Sequence, residues 1–394
     1  MPPSDSPNAA KSARALTLAA YASFLPVGIV TVLLGPLLPT LSARWTLNYA
    51  QQGALFNAQY FASTAAVAIS GWLVSRWGYR FAMKSGLLLV TVGLALLLSG
   101  SKVLGIACIA MYGAGLGLAV PATNLLVADV NPSQRSAKLN VVNFCWSVGA
   151  VACSFLVAGA ARIHRVHFLL ALVAGCIFLV LVGIAAMPAS IVEPAVVGKK
   201  GPGIPWRHGA LPVLGALFFI YVGTENSFGG WVASYSKSLG SMTATMSLVT
   251  PSFFYASLML GRLLAPMLLR VIDEVRLVQV GLLMACGGTA TLVLSNRLPG
   301  VAASACLAGL GLSCVYPITI SILSREFGAA ASRAGSVMFT LANLGGGLMP
   351  WLVGVSSTRF GSLKAGLVVP LLGSVAMYVL YLRSWATGRV EDAV

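Results

Sequence analysis

The chain has 394 residues, of which 58% are hydrophobic and only 9% charged, with a mean hydropathy of +0.89. A water-facing globular surface needs roughly a quarter of its residues charged, so 25 basic and 9 acidic residues exclude a soluble domain of this length. The +16 net charge does not describe a nucleic-acid face either, because the cations sit at the ends of apolar segments, as in positive-inside membrane proteins.

About 20 apolar residues cross a bilayer as a helix. The polar tail 1–14 has no apolar core or cleavage site, so no removable signal peptide is expected there. Six spans follow, at about 15–40, 50–74, 81–100, 104–128, 139–160 and 166–187, and form a predicted first bundle over 15–187. The segment 188–210 carries Pro188, Pro194, Pro202 and Pro205 with Lys199, Lys200 and Arg207, and is predicted to be a hydrophilic linker. Six more spans, at 211–235, 246–269, 276–295, 298–323, 333–357 and 364–383, form a predicted second bundle over 211–383, before a tail 384–394. With both termini placed inside, 17 of the 25 basic residues fall on the inward side, Arg262 among them, and 8 on the outward side. The fold class is therefore an all-α membrane protein of twelve helices in two pseudo-symmetric six-helix bundles.

The halves resemble each other. Gly71–Arg80 (GWLVSRWGYR) leaves the second span, and Gly261–Arg270 leaves the eighth, 190 positions later. Gly115-Leu-Gly-Leu and Pro121 in span four have counterparts in Gly309-Leu-Gly-Leu and Pro317, at offsets of 194 and 196. Like features at nearly constant spacing point to a parallel repeat. The Gly113-x-Gly115-x-Gly117 stretch lies inside an apolar span and follows no strand, so it reads as a close helix-packing surface, not a nucleotide loop.

Eight of the nine acids fall in tails, loops or helix ends; only Glu225 lies well inside a span. An ionisable group at the bilayer centre costs about 2.5–3.5 kcal/mol, which makes it a functional candidate by default. Desolvation disfavours the charged form of such a carboxyl group, so it can take up and release a proton. The alternative is a structural Glu satisfied by Thr224, Asn226 or backbone amides. Gly223, Gly229 and Gly230 bracket it and predict a break in span seven.

Amides and aromatics at mid-span depth are the candidate ligand contacts: Asn57, Gln59 and Tyr60, Asn124, Asn143 and Trp146, Asn226 and Trp231, Tyr255, Tyr316 and Thr319, and Asn343 and Trp351. Amides both donate and accept hydrogen bonds, and aromatic rings cover the apolar face of a sugar, so this set suits a neutral polyhydroxylated ligand. For each residue singly, interhelical bonding worth about 0.6 kcal/mol is the competing role, and Trp231 and Trp351 also suit interface anchoring. His164 and His167 lack a third ligand in reach and do not read as a metal site. The seven cysteines lie in apolar runs without CxxC pairs and read as small buried hydrophobes. With no Walker lysine, no Ser/His/Asp set and no paired intramembrane carboxylates, the chain does not read as an enzyme or an ATP-driven pump.

Twelve spans, the basic linker and the loop at 71–80 resemble the major facilitator superfamily. The segments Tyr221–Trp231 (YVGTENSFGGW) and Asn343–Trp351 (NLGGGLMPW), with Asn124 and Asn143, resemble the fucose permease-like sugar:proton symporters within it. The resemblance implies rocker-switch alternating access, a cavity lined by spans one, four, seven and ten, and a conformational motif at Gly71, Arg76, Gly78 and Arg80, with Gly261 and Arg262 in the second half. Two positions depart from it. Ser75 stands where the loop usually has an acid, and spans one and four lack the carboxylates of the fucose permease, with Val120 near the second.

The expected function is proton-coupled uptake of a monosaccharide, a hexose, with Glu225 carrying the proton. The alternatives are sodium coupling, efflux of an amphipathic compound, and an uncoupled facilitator or nutrient sensor in which Glu225 is structural. No cofactor beyond the coupling ion (H+ or Na+) and no metal is expected. The expected partners are a small-molecule sugar and the lipid bilayer, without nucleic acid, for a monomer in the inner (cytoplasmic) membrane with both termini cytoplasmic.

Overall fold

The computed structural model describes residues 7–188 and 209–384, all of whose regular structure is helical. Most of the predicted linker 188–210 and of the tail 384–394, and the first six residues of the tail 1–14, lie outside the described residues. The first half runs through α1 (Pro7–Val32), α2 (Leu34–Trp45), α3 (Tyr49–Trp77), α4 (Tyr79–Leu96), α5 (Lys102–Val130), α6 (Arg135–Arg162) and α7 (Val166–Ala185). The second runs through α8 (Ala210–Ser238), α9 (Ala244–Leu268), α10 (Glu274–Leu294), α11 (Leu298–Ser313), α12 (Val315–Phe327), α13 (Ala331–Phe360), α14 (Leu363–Gly366) and α15 (Val368–Ser384).

Among the described residues, eleven helical segments are long and apolar enough to cross a membrane. The predicted second span, α3, is not one of them. Its 29 residues would reach about 43 Å at 1.5 Å per residue, well beyond a ~30 Å hydrocarbon core. What it lacks is apolarity, because Gln51, Gln52, Asn57 and Gln59 fall within three turns of one another.

The expected break in span seven is not there. The helix α8 is continuous from Ala210 to Ser238, so its glycines serve packing and not unwinding. A Cβ on Gly223 would overlap Met349, one on Gly229 the Tyr255 hydroxyl, and one on Gly230 the Phe56 ring. The helix interruptions come instead in spans one, ten and twelve, at Leu33, Cys314 and Leu367. Each lies three residues before a proline, Pro36, Pro317 and Pro370. Lacking an N–H, these prolines leave the carbonyls four residues back, Val32, Ser313 and Gly366, without their helical partner.

The chain divides into two compact units, Met1–Thr31 with Ala58–Cys153 and Ile163–Lys199, and Val32–Asn57 with Ser154–Arg162 and Lys200–Val394. In the first unit, Gly115 meets the backbone of Gly86, and Gly113 meets that of Gln59. In the second, Gly311 meets the backbone of Gly281, and Gly309 that of Phe254. A side chain at any of these glycines would strike another helix's backbone, which is how small residues bring membrane helices close. These contacts also refine the repeat, since Gly113 with Gly309, Gly115 with Gly311 and Pro121 with Pro317 all stand 196 apart. The Gly-Leu-Gly-Leu match at 194 was two residues out of register.

Candidate functional site

Tyr221 and Glu225 are one helical turn apart on α8, so their side chains share a face. The Tyr221 hydroxyl donates to the Glu225 carboxylate, and the Arg262 guanidinium on α9 donates through Nη2 to the Tyr221 oxygen at 3.3 Å. Arg262 is also close enough to Glu225 to attract it directly. The ring of Tyr316, just past the break in span ten, lies on Tyr221 with centroids 5.5 Å apart and planes at 31°. Phe218, one turn before Tyr221, meets Tyr316 edge-on at 5.6 Å. Gly261 lets this part of α9 approach α11, since a Cβ there would overlap the Ser313 hydroxyl.

Glu225 is therefore not a lone carboxylate. It belongs to a carboxylate–phenol–guanidinium set contributed by spans seven and eight, in which Tyr221 is buried and Glu225 and Arg262 are half-buried, with Tyr316 of span ten against it. Removing one partner of such a set leaves an uncompensated charge in a low-dielectric interior, which is strongly unfavourable. Arg262, expected as an inward loop-end cation of the conformational motif, instead lies six residues inside the end of α9. The predicted span 246–269 already contained it, and that placement was the signal for its role. Tyr221 stood out in sequence only as the start of a motif segment, although its spacing of four from Glu225 was there to be read.

The amide and aromatic candidates divide by unit. In the first unit, Gln59 is fully engaged: its Nε2 donates to the Thr31 carbonyl at 3.2 Å, and its Oε1 accepts from the Tyr112 hydroxyl at 3.2 Å. Trp146 donates through Nε1 to the Thr31 hydroxyl at 3.3 Å. Asn143 is exposed and bonds its own helix at Leu139. Asn124 is half-buried and has no hydrogen-bond partner among the described residues. Gln59 is thus helix glue, while Asn124 and Asn143 make no hydrogen bond to another helix among the described residues.

In the second unit, Trp231 is fully buried. Its Nε1 donates to the Pro350 carbonyl at 2.9 Å, and its ring lies between Tyr49 and Phe56, with centroids at 6.3 and 6.4 Å. Its flat face is covered in this conformation, so it does not offer the sugar platform expected of it. Tyr255 is likewise buried, against Gly229. Asn57 is half-buried, with its Oδ1 shielded and unpaired. Asn226 and Asn343 each return one bond to their own helix, at Val222 and Phe339. Among the described residues no three His, Cys, Asp or Glu side chains converge as metal ligands.

The loop motif of the first half works as a latch within its unit. Gly78 takes a positive φ of 86° at the corner between α3 and α4, a conformation glycine adopts without steric cost. Tyr79 then donates to Asp129 at the end of α5. Arg80 donates to the carbonyls of Ile184 and Met187 at 2.9 and 3.1 Å, and so caps the C-terminal end of α7. Arg76 and Gly71 are exposed.

Comparison with known proteins agrees with this architecture. The sequence pattern of the Major Facilitator Superfamily matches residues 20–350. A glucose/galactose transporter of Brucella abortus is 25% identical over 366 residues, covering 86% of each chain. An uncharacterized MFS-type transporter of Yersinia pestis is 22% identical over 361 residues, covering 90% of this chain and 92% of that one. Among solved structures, the fold is similar to the D-xylose-proton symporter (TM-score 0.73, 16% identity, 92% and 97% of the two chains covered). It is similar also to the nucleoside transporter NupG (0.72, 13%, 95% and 98%) and to the E. coli fucose:proton symporter FucP in its outward conformation (0.65, 19%, 94% and 98%). The resemblance to the fucose permease-like symporters thus holds at the level of fold.

Proposed function

We propose that this chain, which belongs to the Major Facilitator Superfamily, imports a monosaccharide by alternating access and couples that import to a proton carried by Glu225. The observation that carries the proposal is the half-buried Glu225–Tyr221–Arg262 set of spans seven and eight, with the ring of Tyr316 of span ten lying on Tyr221. When Glu225 is ionised, Arg262 balances its charge, and when it is protonated, Tyr221 still offers a hydrogen-bond partner. A carboxyl group that is satisfied in both states can exchange a proton without unfolding its surroundings. The curated relative named as a glucose/galactose transporter supports a hexose as the ligand, and the unpaired amides Asn124 and Asn57 are the first candidates to read its hydroxyls.

The proposal includes α3 as a twelfth span, two six-span halves, both termini in the cytoplasm, a cytoplasmic-membrane location and a monomer. A proton is favoured over Na+ because the Thr224 hydroxyl, expected beside Glu225 in a sodium site, lies against Gly373 of α15 instead. The test is hexose uptake by the reconstituted protein under an imposed pH gradient, an imposed sodium gradient, or neither. Accumulation that follows only the pH gradient and is competed by glucose or galactose supports the proposal. Accumulation with sodium alone, or simple equilibration in every case, overturns it.

A further inference from the structure

We propose that the corner between α3 and α4 is a docking platform for the headgroup of an anionic phospholipid. The proposal rests on the membrane reading and not on the choice of substrate. Trp72, Trp77 and Phe81 are 55, 50 and 40% exposed yet touch one another, with centroids 5.1 Å apart for the tryptophan pair and 4.9 Å for Trp77 with Phe81. Large aromatic rings with one wet edge gather at the headgroup level of a bilayer. Each end of the aromatic row carries a cation on the same helix face: Arg76 one turn after Trp72, and Lys84 one turn after Phe81. The platform is held from behind by the buried Tyr79 on Asp129 and by Arg80 on the end of α7. It is thus formed before any lipid arrives.

Charge accounting identifies the partner as an anion. Among the described residues of the first unit, Asp129 is the only carboxylate, and it is engaged by Tyr79. Arg76, Lys84, Arg135 and Lys138 cluster where α3 and α5 end and α4 and α6 begin, and none has an ion-pair partner among the described residues. The corresponding end of the second half is different. There Arg276 pairs with Asp273 at 3.2 Å and Arg325 with Glu274 at 3.3 Å, and the corner after α9 exposes Leu263, Leu264, Met267 and Leu268 in place of aromatics. Unpaired guanidinium and ammonium groups beside interfacial aromatics suit a phosphodiester, which a guanidinium binds through two parallel N–H bonds. Anionic lipids are concentrated on the membrane face that basic juxtamembrane residues select.

Native mass spectrometry of the purified full-length protein, titrated with dioleoylphosphatidylglycerol, tests this. The wild type should bind it, and Arg76→Gln/Lys84→Gln should weaken binding by about tenfold or more. A control pair at the opposite end of the same unit, Lys102→Gln/Arg165→Gln, should not. Phosphatidylcholine should bind weakly to all three, and millimolar inorganic phosphate should not displace the lipid. A second readout is independent of charge removal: a brominated phosphatidylglycerol should quench less tryptophan fluorescence in Trp72→Leu/Trp77→Leu than the loss of two of eight tryptophans explains. Equal phosphatidylglycerol affinity in the wild type and the Arg76/Lys84 variant, phosphatidylcholine binding as tight, or displacement by free phosphate would overturn the proposal.

Discussion

The two halves make the same packing contacts and carry different chemistry. Gly115 on Gly86 in the first half is repeated, 195 to 196 residues later, as Gly311 on Gly281 in the second, backbone against backbone in both. At the matching prolines they diverge. Pro121 sits inside an unbroken α5, whereas the counterpart span is interrupted at Cys314, three residues before Pro317, and its second piece places Tyr316 on Tyr221. Their polar interiors diverge further. The first half buries Tyr112 on Gln59, whose amide reaches the Thr31 carbonyl, and the second holds a half-buried carboxylate and guanidinium joined by a buried phenol. The two halves share this packing geometry, while the carboxylate that lies well inside a span, with its guanidinium partner, belongs to one of them.

The largest effects that could break this comparison lie in the second half. Arg262→Leu leaves Glu225 without its counter-charge; removing one partner of a fully buried pair costs about 3–5 kcal/mol, which is the upper bound for this half-buried one. Thermal unfolding in detergent should show a much lower midpoint for this variant, with part of the loss recovered in Arg262→Leu/Glu225→Gln. A Gln59→Ala variant in the first half should lose only about 1–3 kcal/mol, the cost of leaving its partners unpaired. If Arg262→Leu is no less stable than Gln59→Ala, the polar interiors of the halves are not different in kind.

Trp231→Ala is the next largest. The ring is fully buried with its N–H bonded to Pro350, so the expected outcome is a cavity costing about 3–5 kcal/mol, with the KM for hexose in the surviving protein changed little. Asn343→Ala and Asn124→Ala should do the reverse, raising KM with little effect on unfolding. A KM effect confined to Trp231→Ala would restore that ring as a ligand contact.

Glycine substitutions sharpen the symmetric side of the comparison. Gly115→Ala and Gly311→Ala each push a methyl group onto a neighbouring helix backbone, with an expected cost of about 1–3 kcal/mol. The two losses should agree within about 0.5 kcal/mol. A large inequality, read from unfolding of both variants, would show that the repeat is one of sequence and not of packing. The smallest expected effect belongs to Asn143→Ala. This exposed residue bonds only its own helix, so stability should move by less than about 0.5 kcal/mol.

Much of the fold was legible because bilayer length and apolarity are properties of segments. Eleven of the expected spans met both criteria, and α3 met only that of length because its amides cluster in one stretch. The helix breaks were misplaced for a definite reason. Glycine lowers helix stability by about 1 kcal/mol, which tertiary packing at Gly223, Gly229 and Gly230 overrides. Proline removes a hydrogen bond that packing cannot replace, and Pro36, Pro317 and Pro370 lie just after breaks, yet Pro121, Pro251 and Pro350 sit in continuous helices. At the candidate site, Glu225 was legible from its depth alone. Its partners were not, because Arg262 was assigned by its place in a motif and not by its depth in the apolar run. The covering of Trp231 by Tyr49 and Phe56 depends on helices distant in sequence, which no local pattern encodes.

The role of Glu225 is tested most directly by Glu225→Gln, reconstituted and assayed for both hexose counterflow and pH-driven uptake. Glutamine keeps the shape and can still hydrogen-bond Tyr221, but it cannot ionise, so it stands in for the protonated carrier. The expected result is counterflow near the wild-type rate with no accumulation above equilibrium, while wild-type uptake falls as the external pH rises and the proton, its co-substrate, becomes scarce. Retained concentrative uptake in Glu225→Gln, driven by the same pH gradient, would contradict coupling at this residue.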